Sequence, residues 1–332
     1  MRLASTGIAC ILLAFARAAA AEEAPTPSRP IPIRPLMFAI ETPRVSAELV
    51  GLDIEQDGRL MEEPVPRIHE GGPVTFRLYW HVLGALPKST EVRVRLESSG
   101  PTRDERFPVP GAGWRIGGVY PHAFEMPIWR VYGSGRNTLW LSLSSGGDDA
   151  LLYSMPVHIA PAAAPSTLDA TQLADVFGAD AVRLKTRFRL GVDGAISLDM
   201  PDDAPARVAE VGLVSSVAFK ALFHRGDRVC SVVLHDADGG DPVTKYLVHG
   251  ESTMQTDFET YRPEDVEKVR VPVFSETSSP EAGEGEAKKR EYIGRFALEQ
   301  PMRIARIEMQ YLMPEAVLQV QEVVLVPAKE NR

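Results

Sequence analysis

Two short runs in the second half of the chain hold residue types that do chemistry. Asp236-Ala237-Asp238-Gly239-Gly240-Asp241 spaces three carboxylates around a pair of glycines. Calcium takes several oxygen ligands, so Asp236, Asp238 and Asp241 are candidate ligands for a structural calcium ion. The spacing is not that of an EF-hand loop, whose glycine sits later and which closes on a glutamate. The same six residues also suit a hairpin turn between two strands. His249-Gly250-Glu251-Ser252 carries the residue types of hydrolysis. A catalytic triad is assembled by convergence in space rather than by adjacency, so a strand-end turn is the simpler reading. No GxSxG, HExxH, phosphate loop or GxGxxG is present. The seven histidines show no close pairing at metal-ligand spacing. No catalytic residue and no cofactor other than calcium is expected.

A second group of residues is suited to binding. In Val74 to Val82, apolar residues alternate with Thr75, Arg77, Tyr79 and His81. Glu91 to Glu97 alternates the same way and sends out Arg93 and Arg95. Asn137 to Leu143 packs Leu139, Leu141 and Leu143, which leaves Trp140 pointing outward. Aromatic rings stack on the apolar faces of sugars, and arginines hydrogen-bond hydroxyls and carboxylates. Trp140, Tyr79, Arg77, Arg93 and Arg95 are therefore the candidate ligand-binding residues, with a polysaccharide as their partner. The competing reading places Trp140 under a loop or against a neighbouring domain. Trp114 and Trp129 lie in Gly/Pro-rich connections, where they either form a rim or plug the end of the sandwich.

The elements that must position these residues are strands. Period-two alternation is the mark of a half-buried antiparallel strand. Besides 74–82, 91–97 and 137–143, strands are expected at 45–55 and 151–159. Gly and Pro clusters punctuate them. Residues 38–160 are expected to form a β-sandwich of immunoglobulin-like kind. Residues 161–166, rich in Ala and Pro, read as a linker. Residues 167–327 open with Leu168 to Phe177, either a short helix or an irregular crossing. Strands follow around 182–190, 207–218, 228–235, 243–249, 268–274, 292–298, 303–312 and 317–326, enough for a jelly-roll-like sandwich. Ser275 to Glu291 is polar and charged and reads as a mobile surface loop. The fold class is thus all-β, with two antiparallel sandwiches.

The N-terminal residues supply an address. Arg2, an apolar run from Gly7 to Ala16 and Ala19-Ala20-Ala21 make residues 1–21 a secretory signal peptide. The run is too short to span a bilayer. Residues 22–37 are a Pro-rich leader, read as an extended tether. Removing Arg2 and Arg17 with the signal lowers the 36 basic residues to 34 against 45 acidic ones, a formal charge of −11. That balance argues against nucleic acid, whose affinity rests on neutralised phosphates, and against direct membrane insertion or general attraction to anionic membranes. Cys10 leaves with the signal, so Cys230 has no intramolecular partner and reads as a buried structural thiol. A soluble periplasmic or secreted protein is expected.

Glu70-Gly71-Gly72-Pro73-Val74-Thr75-Phe76-Arg77-Leu78-Tyr79-Trp80 resembles the opening of accessory β-sandwiches that accompany bacterial membrane glycosyltransferases and polysaccharide exporters. Val232 to Gly239, followed by Tyr246 to Thr253, resembles the "DADG … LxxGxDT" run of another accessory sandwich of membrane glycosyltransferases. The departures are Glu251-Ser252 in place of an Asp-centred step and Asp257-Phe258 in place of an acidic-Trp pair. The resemblance implies a role beside envelope glycan synthesis or export, with polysaccharide or its machinery as partner and no catalytic residues to carry over. The expected function is an exported, non-catalytic glycan-binding or accessory protein of envelope polysaccharide assembly. The alternatives are a scaffold docking to a membrane protein and a jelly-roll hydrolase.

Overall fold

The structure is a computed structural model that describes residues 32, 34–41, 46–97, 102–111, 113–128, 134–145, 148–218, 224–256, 271–280 and 286–329. The expected signal peptide, Trp129 and Asp257-Phe258 lie outside the described residues. Among the described residues, no helix is long and apolar enough to cross a membrane.

Residues 34–160 supply ten strands: β1 (Arg34–Glu41), β2 (Ser46–Gln56), β3 (Arg59–Leu60), β4 (Arg67–His69), β5 (Pro73–Val82), β6 (Thr90–Glu97), β7 (Arg103–Pro108), β8 (Val119–Pro127), β9 (Gly135–Ser145) and β10 (Asp148–Ala160). One sheet runs β1-β2-β5-β8, with β3 beside β2. The other runs β4-β10-β9-β6-β7. All neighbours are antiparallel except β4 and β10. Strands β2, β5 and β8 thus face β10, β9, β6 and β7, which is the partition of an immunoglobulin-type sandwich. The inward positions form one core that includes Leu49, Phe76, Leu78, Trp80, Val94, Leu139 and Leu141. His122 of β8 also points inward, and burial pushes its imidazole down to about 4. Trp114 stacks on Tyr120 at 5.0 Å and packs against this core, so it plugs the end of the sandwich.

Residues 164–327 add β11 (Ala164–Pro165), α1 (Ala170–Phe177), β12 (Val182–Arg183), β13 (Thr186–Leu190), β14 (Ala195–Asp199), β15 (Val208–Ala218), β16 (Arg228–Asp236), β17 (Val243–Val248), β18 (Val273–Pro280), β19 (Glu286–Met302), β20 (Ile304–Tyr311) and β21 (Val317–Pro327). The larger sheet runs β11-β13-β21-β15-β19-β18, with β12 beside β21, and the smaller runs β14-β20-β16-β17. Count β13 to β17 as strands one to five and β19 to β21 as six to eight. The sheets then read 1-8-3-6 and 2-7-4-5, the winding of a jelly roll. Val211, Leu213, Val232, Leu234, Ile307 and Leu318 fill its core together with Cys230. Burial pushes the Cys230 thiol up, so the group is inert.

Several local expectations change in the structure. Leu168 to Phe177 does contain a helix: the Asp169 carboxylate accepts from the N–H groups of Thr171 and Gln172 at its start. The run from Ser275 to Glu291 is expected as a mobile loop, but its described residues, 275–280 and 286–291, pair as antiparallel strands of β18 and β19. Glu276 accepts from Arg290 at 2.6 Å and pairs with Lys288 at 3.4 Å, so cross-strand charge pairs hold a ribbon that has little apolar content. The Pro-rich leader ends by entering β1 at Arg34. Ala164 and Pro165 of the linker pair with Arg187 and Thr186 of β13. Strands β1, β3, β4, β7, β8, β11 and β14 fall outside the strands expected from the sequence.

Candidate functional site

The outer side of the sheet β4-β10-β9-β6-β7 is an open face that carries an aromatic. Strand β9 is central, and its even positions point away from the core. Register places Arg95 of β6 on one side of Trp140 and Ser154 of β10 on the other. Asp104 of β7 continues that row beyond Arg95. The next row reads Arg106, Arg93, Ser142 and Leu151 across the same strands. A third holds Glu97, Thr138 and Pro156. Three apolar side chains, Trp140, Leu151 and Pro156, are therefore interleaved with three hydroxyls. Leu151 is 63% exposed, an uncommon position for leucine, and it stands beside a bulge in β10. Trp140 is half-buried, with its indole Nε1 turned inward out of solvent and without a hydrogen-bond partner among the described residues.

The arginines of this face are held in place. Arg93 donates Nε to both carboxylate oxygens of Asp104, at 2.8 and 2.7 Å, and its Nη2 also pairs with that carboxylate. These hydrogen bonds hold Asp104 below the usual carboxylate range. Arg95 reaches Glu97 at 3.3 Å and Arg106 reaches Glu91 at 3.8 Å. Each of these three arginines has its own carboxylate, so the face around Trp140 is close to neutral. Such exposed pairs add little to stability, but they fix where the guanidinium edges point.

Arg77 and Tyr79 do not join this surface. Both lie on β5, in the opposite sheet, so their outward positions look away from Trp140. Arg77 pairs with Glu55 at 3.8 Å. Tyr79 points outward as its alternation requires, yet it is only 3% exposed. A bulge in β2 sets Gly51 beside it, and Pro32 lies so close over Gly51 that a Cβ there would collide with the proline ring. The Tyr79 hydroxyl donates to Asp53 at 2.6 Å. Burial, then that hydrogen bond, raises the phenol above its ordinary value. Tyr79 is thus a covered residue rather than a stacking platform. Alternation along a strand tells which side a residue takes, but not what crosses over that side.

The Asp236 to Asp241 run forms the turn between β16 and β17. Asp236 Oδ1 accepts from the backbone N–H of Asp238 at 3.0 Å, and Asp238 faces Arg303 at 3.6 Å. Arg207 and Lys245 line the same groove as the three aspartates. Among the described residues, no three His, Cys, Asp or Glu side chains are placed to hold a metal ion. At 249–253 the chain makes a strand-end turn: the Ser252 hydroxyl accepts from Val248 N–H at 2.8 Å, and Gly250 takes φ +76°.

The sequence reading missed a cleft between the two sandwiches, lined by Glu70, Arg187, Arg189, Gln319 and Gln321. The signal available for it was the pair Arg187 and Arg189, alternating around Phe188 in a strand-like run.

No family model and no curated protein matches this chain. Solved structures give distant similarities. The C-terminal domain of Wzt aligns over 39% of this chain and 81% of its own length, at 17% identity and a TM-score of 0.28. The C-terminal domain of the Streptococcus pyogenes antigen I/II-family protein AspA aligns over 84% and 91%, at 9% identity and a TM-score of 0.23. A carbohydrate-binding module from the beta-sandwich superfamily aligns over 77% and 92%, at 8% identity and a TM-score of 0.19.

Proposed function

We propose that this protein is an exported, non-catalytic glycan-binding protein that serves envelope polysaccharide assembly, with residues 1–21 as its secretion signal. The observation that carries this reading is the outer face around Trp140. There a half-buried ring lies between hydroxyls and pre-oriented arginines. Sugars present the complementary pattern, apolar C–H faces beside rings of hydroxyls. Because the arginines are already matched by Asp104, Glu97 and Glu91, the glycan is neutral over this face rather than a polyanion. Binding should therefore change little with ionic strength. A flat face of this kind grips an extended chain weakly and gains from repeated contacts.

The test is affinity electrophoresis in gels cast with the source organism's own envelope polysaccharide. The parent chain should be retarded at low and high salt alike. Trp140→Ala should lose most of that retardation while keeping its unfolding midpoint close to the parent's. Equal retardation of parent and variant would remove Trp140 from the site. Stoichiometric capture of a membrane protein, with no retardation by glycan, would favour the scaffold reading instead.

A further inference from the structure

We propose that the cleft between the two sandwiches is a separate ligand site, for a small sugar bearing one carboxylate. The cleft encloses about 250 Å3. Ligand pockets usually span about 300–1,000 Å3, so this one holds a single small molecule rather than a chain. It is independent of the Trp140 face and shares no residue with it.

The local structure concentrates positive charge there. In β13 the side chains of Arg187 and Arg189 fall on one side, because Phe188 between them enters the core. Register sets Gln319 of β21 beside Arg189, and continuing it sets Gln321 beside Arg187. The two guanidiniums repel each other, and the Glu70 carboxylate attracts that of Arg189. Glu70 is itself 3% exposed and also accepts from the Ala162 N–H at 3.3 Å. The cleft lining thus holds one carboxylate and two guanidiniums. The cleft keeps an excess positive charge in a chain whose formal charge is −9. Arg187 is exposed and enters no ion pair among the described residues.

A guanidinium edge matches a carboxylate with two parallel hydrogen bonds. The glutamine amides beside it offer both donors and acceptors, the pattern that hydroxyls require. A carboxylate on a hydroxylated ring satisfies both halves of the lining. Hydrogen bonds also join the two sandwiches next to β13. Gly191 N–H donates to Ser134 O at 2.7 Å, Arg136 N–H donates to Val192 O at 2.6 Å, and the Arg136 side chain pairs with Asp193. These bonds dock the first sandwich onto the turn that follows β13.

Isothermal titration calorimetry on the full chain tests this with sodium glucuronate, glucose and inorganic phosphate as probes. Glucuronate should bind saturably and glucose should not. Arg187→Ala should weaken glucuronate about tenfold or more, as expected for losing a charge-assisted pair. The exposed position of Arg187 predicts an unchanged unfolding midpoint for that variant, and Trp140→Ala should bind glucuronate like the parent. Equal binding of glucose and glucuronate would overturn the role of the carboxylate. Phosphate binding without glucuronate would overturn the sugar assignment. No saturable heat with glucuronate, or an unaffected Arg187→Ala, would overturn the site.

Discussion

The outer face of the sheet built on β9 and the outer face of the sheet built on β15 had opposite fates. On the first, outward positions carry Arg93, Arg95, Ser142, Thr138 and Ser154, and charge pairs between β6 and β7 and within β6 satisfy the arginines. Nothing needs to cover such a face, and Trp140 and Leu151 stay accessible on it. On the second, Val214, Ile293 and Val324 point outward and cannot remain in water. Helix α1 lies across them and inserts Leu173 and Phe177. Gly212 makes room, since a Cβ there would collide with the Phe177 ring. Arg295 locks the helix from outside, with its guanidinium 5.1 Å from the Phe177 ring and bonded to Glu210 at 3.0 Å. A sheet face is open for binding when its own polar side chains satisfy it, and closed when it must borrow an apolar lid.

The comparison breaks most visibly if the lid is loosened. Phe177→Ala should cost about 3–5 kcal/mol, the usual range for emptying a buried phenylalanine site. Urea unfolding followed by far-ultraviolet circular dichroism measures it. A loss below about 1 kcal/mol would mean that α1 is an ornament rather than a cover.

Acid should separate the two sandwiches next. His122 is neutral in the folded core with its pKa pushed down to about 4, whereas the unfolded imidazole takes a proton near 6.5. The stability tied to this depressed group is fully present above pH 6.5 and is lost as pH falls toward 4, by roughly 3 kcal/mol in all. The four tryptophans, Trp80, Trp114, Trp129 and Trp140, all belong to the first half of the chain, so their fluorescence reports on that sandwich alone. Its denaturation midpoint should fall between pH 7 and pH 4.5, and His122→Gln should flatten that fall. An unchanged slope in the variant would assign the acid sensitivity elsewhere.

The smallest effect belongs to the open face. Arg93→Ala removes an exposed pair with Asp104 and should change stability by less than about 1 kcal/mol. Calorimetric melting of parent and variant checks it. A loss several times larger would show that the pair carries structure rather than merely orienting a guanidinium.

Much of the architecture was legible in the chain. The strict alternation in 74–82, 91–97 and 137–143 gave strands at those places, and it sent Arg93, Arg95 and Trp140 outward as found. The punctuated second half carried enough strands for the jelly roll that its sheet order displays. Strand β8 was missed because Pro121 and Pro127 interrupt its pattern, and β7 because its charged residues mask the apolar Phe107. The polar ribbon of β18 and β19 reads as a loop in the sequence because its stability comes from pairs across the hairpin, which composition does not show.

Side-chain alternation is a property of a strand's own backbone, with period two, and a single sequence therefore determines which residues share a side of one strand. It determined the all-β class, the outward stance of Trp140 and the burial of Cys230. Tertiary structure alone decided which strands became neighbours. Placing β5 in one sheet and β6 and β9 in the other divided the expected binding residues between opposite faces. Laying Pro32 over Gly51 covered Tyr79, and docking Ser134 and Arg136 against residues 191–193 made the arginine cleft. These outcomes depend on contacts between segments far apart in the chain, which no local periodicity encodes.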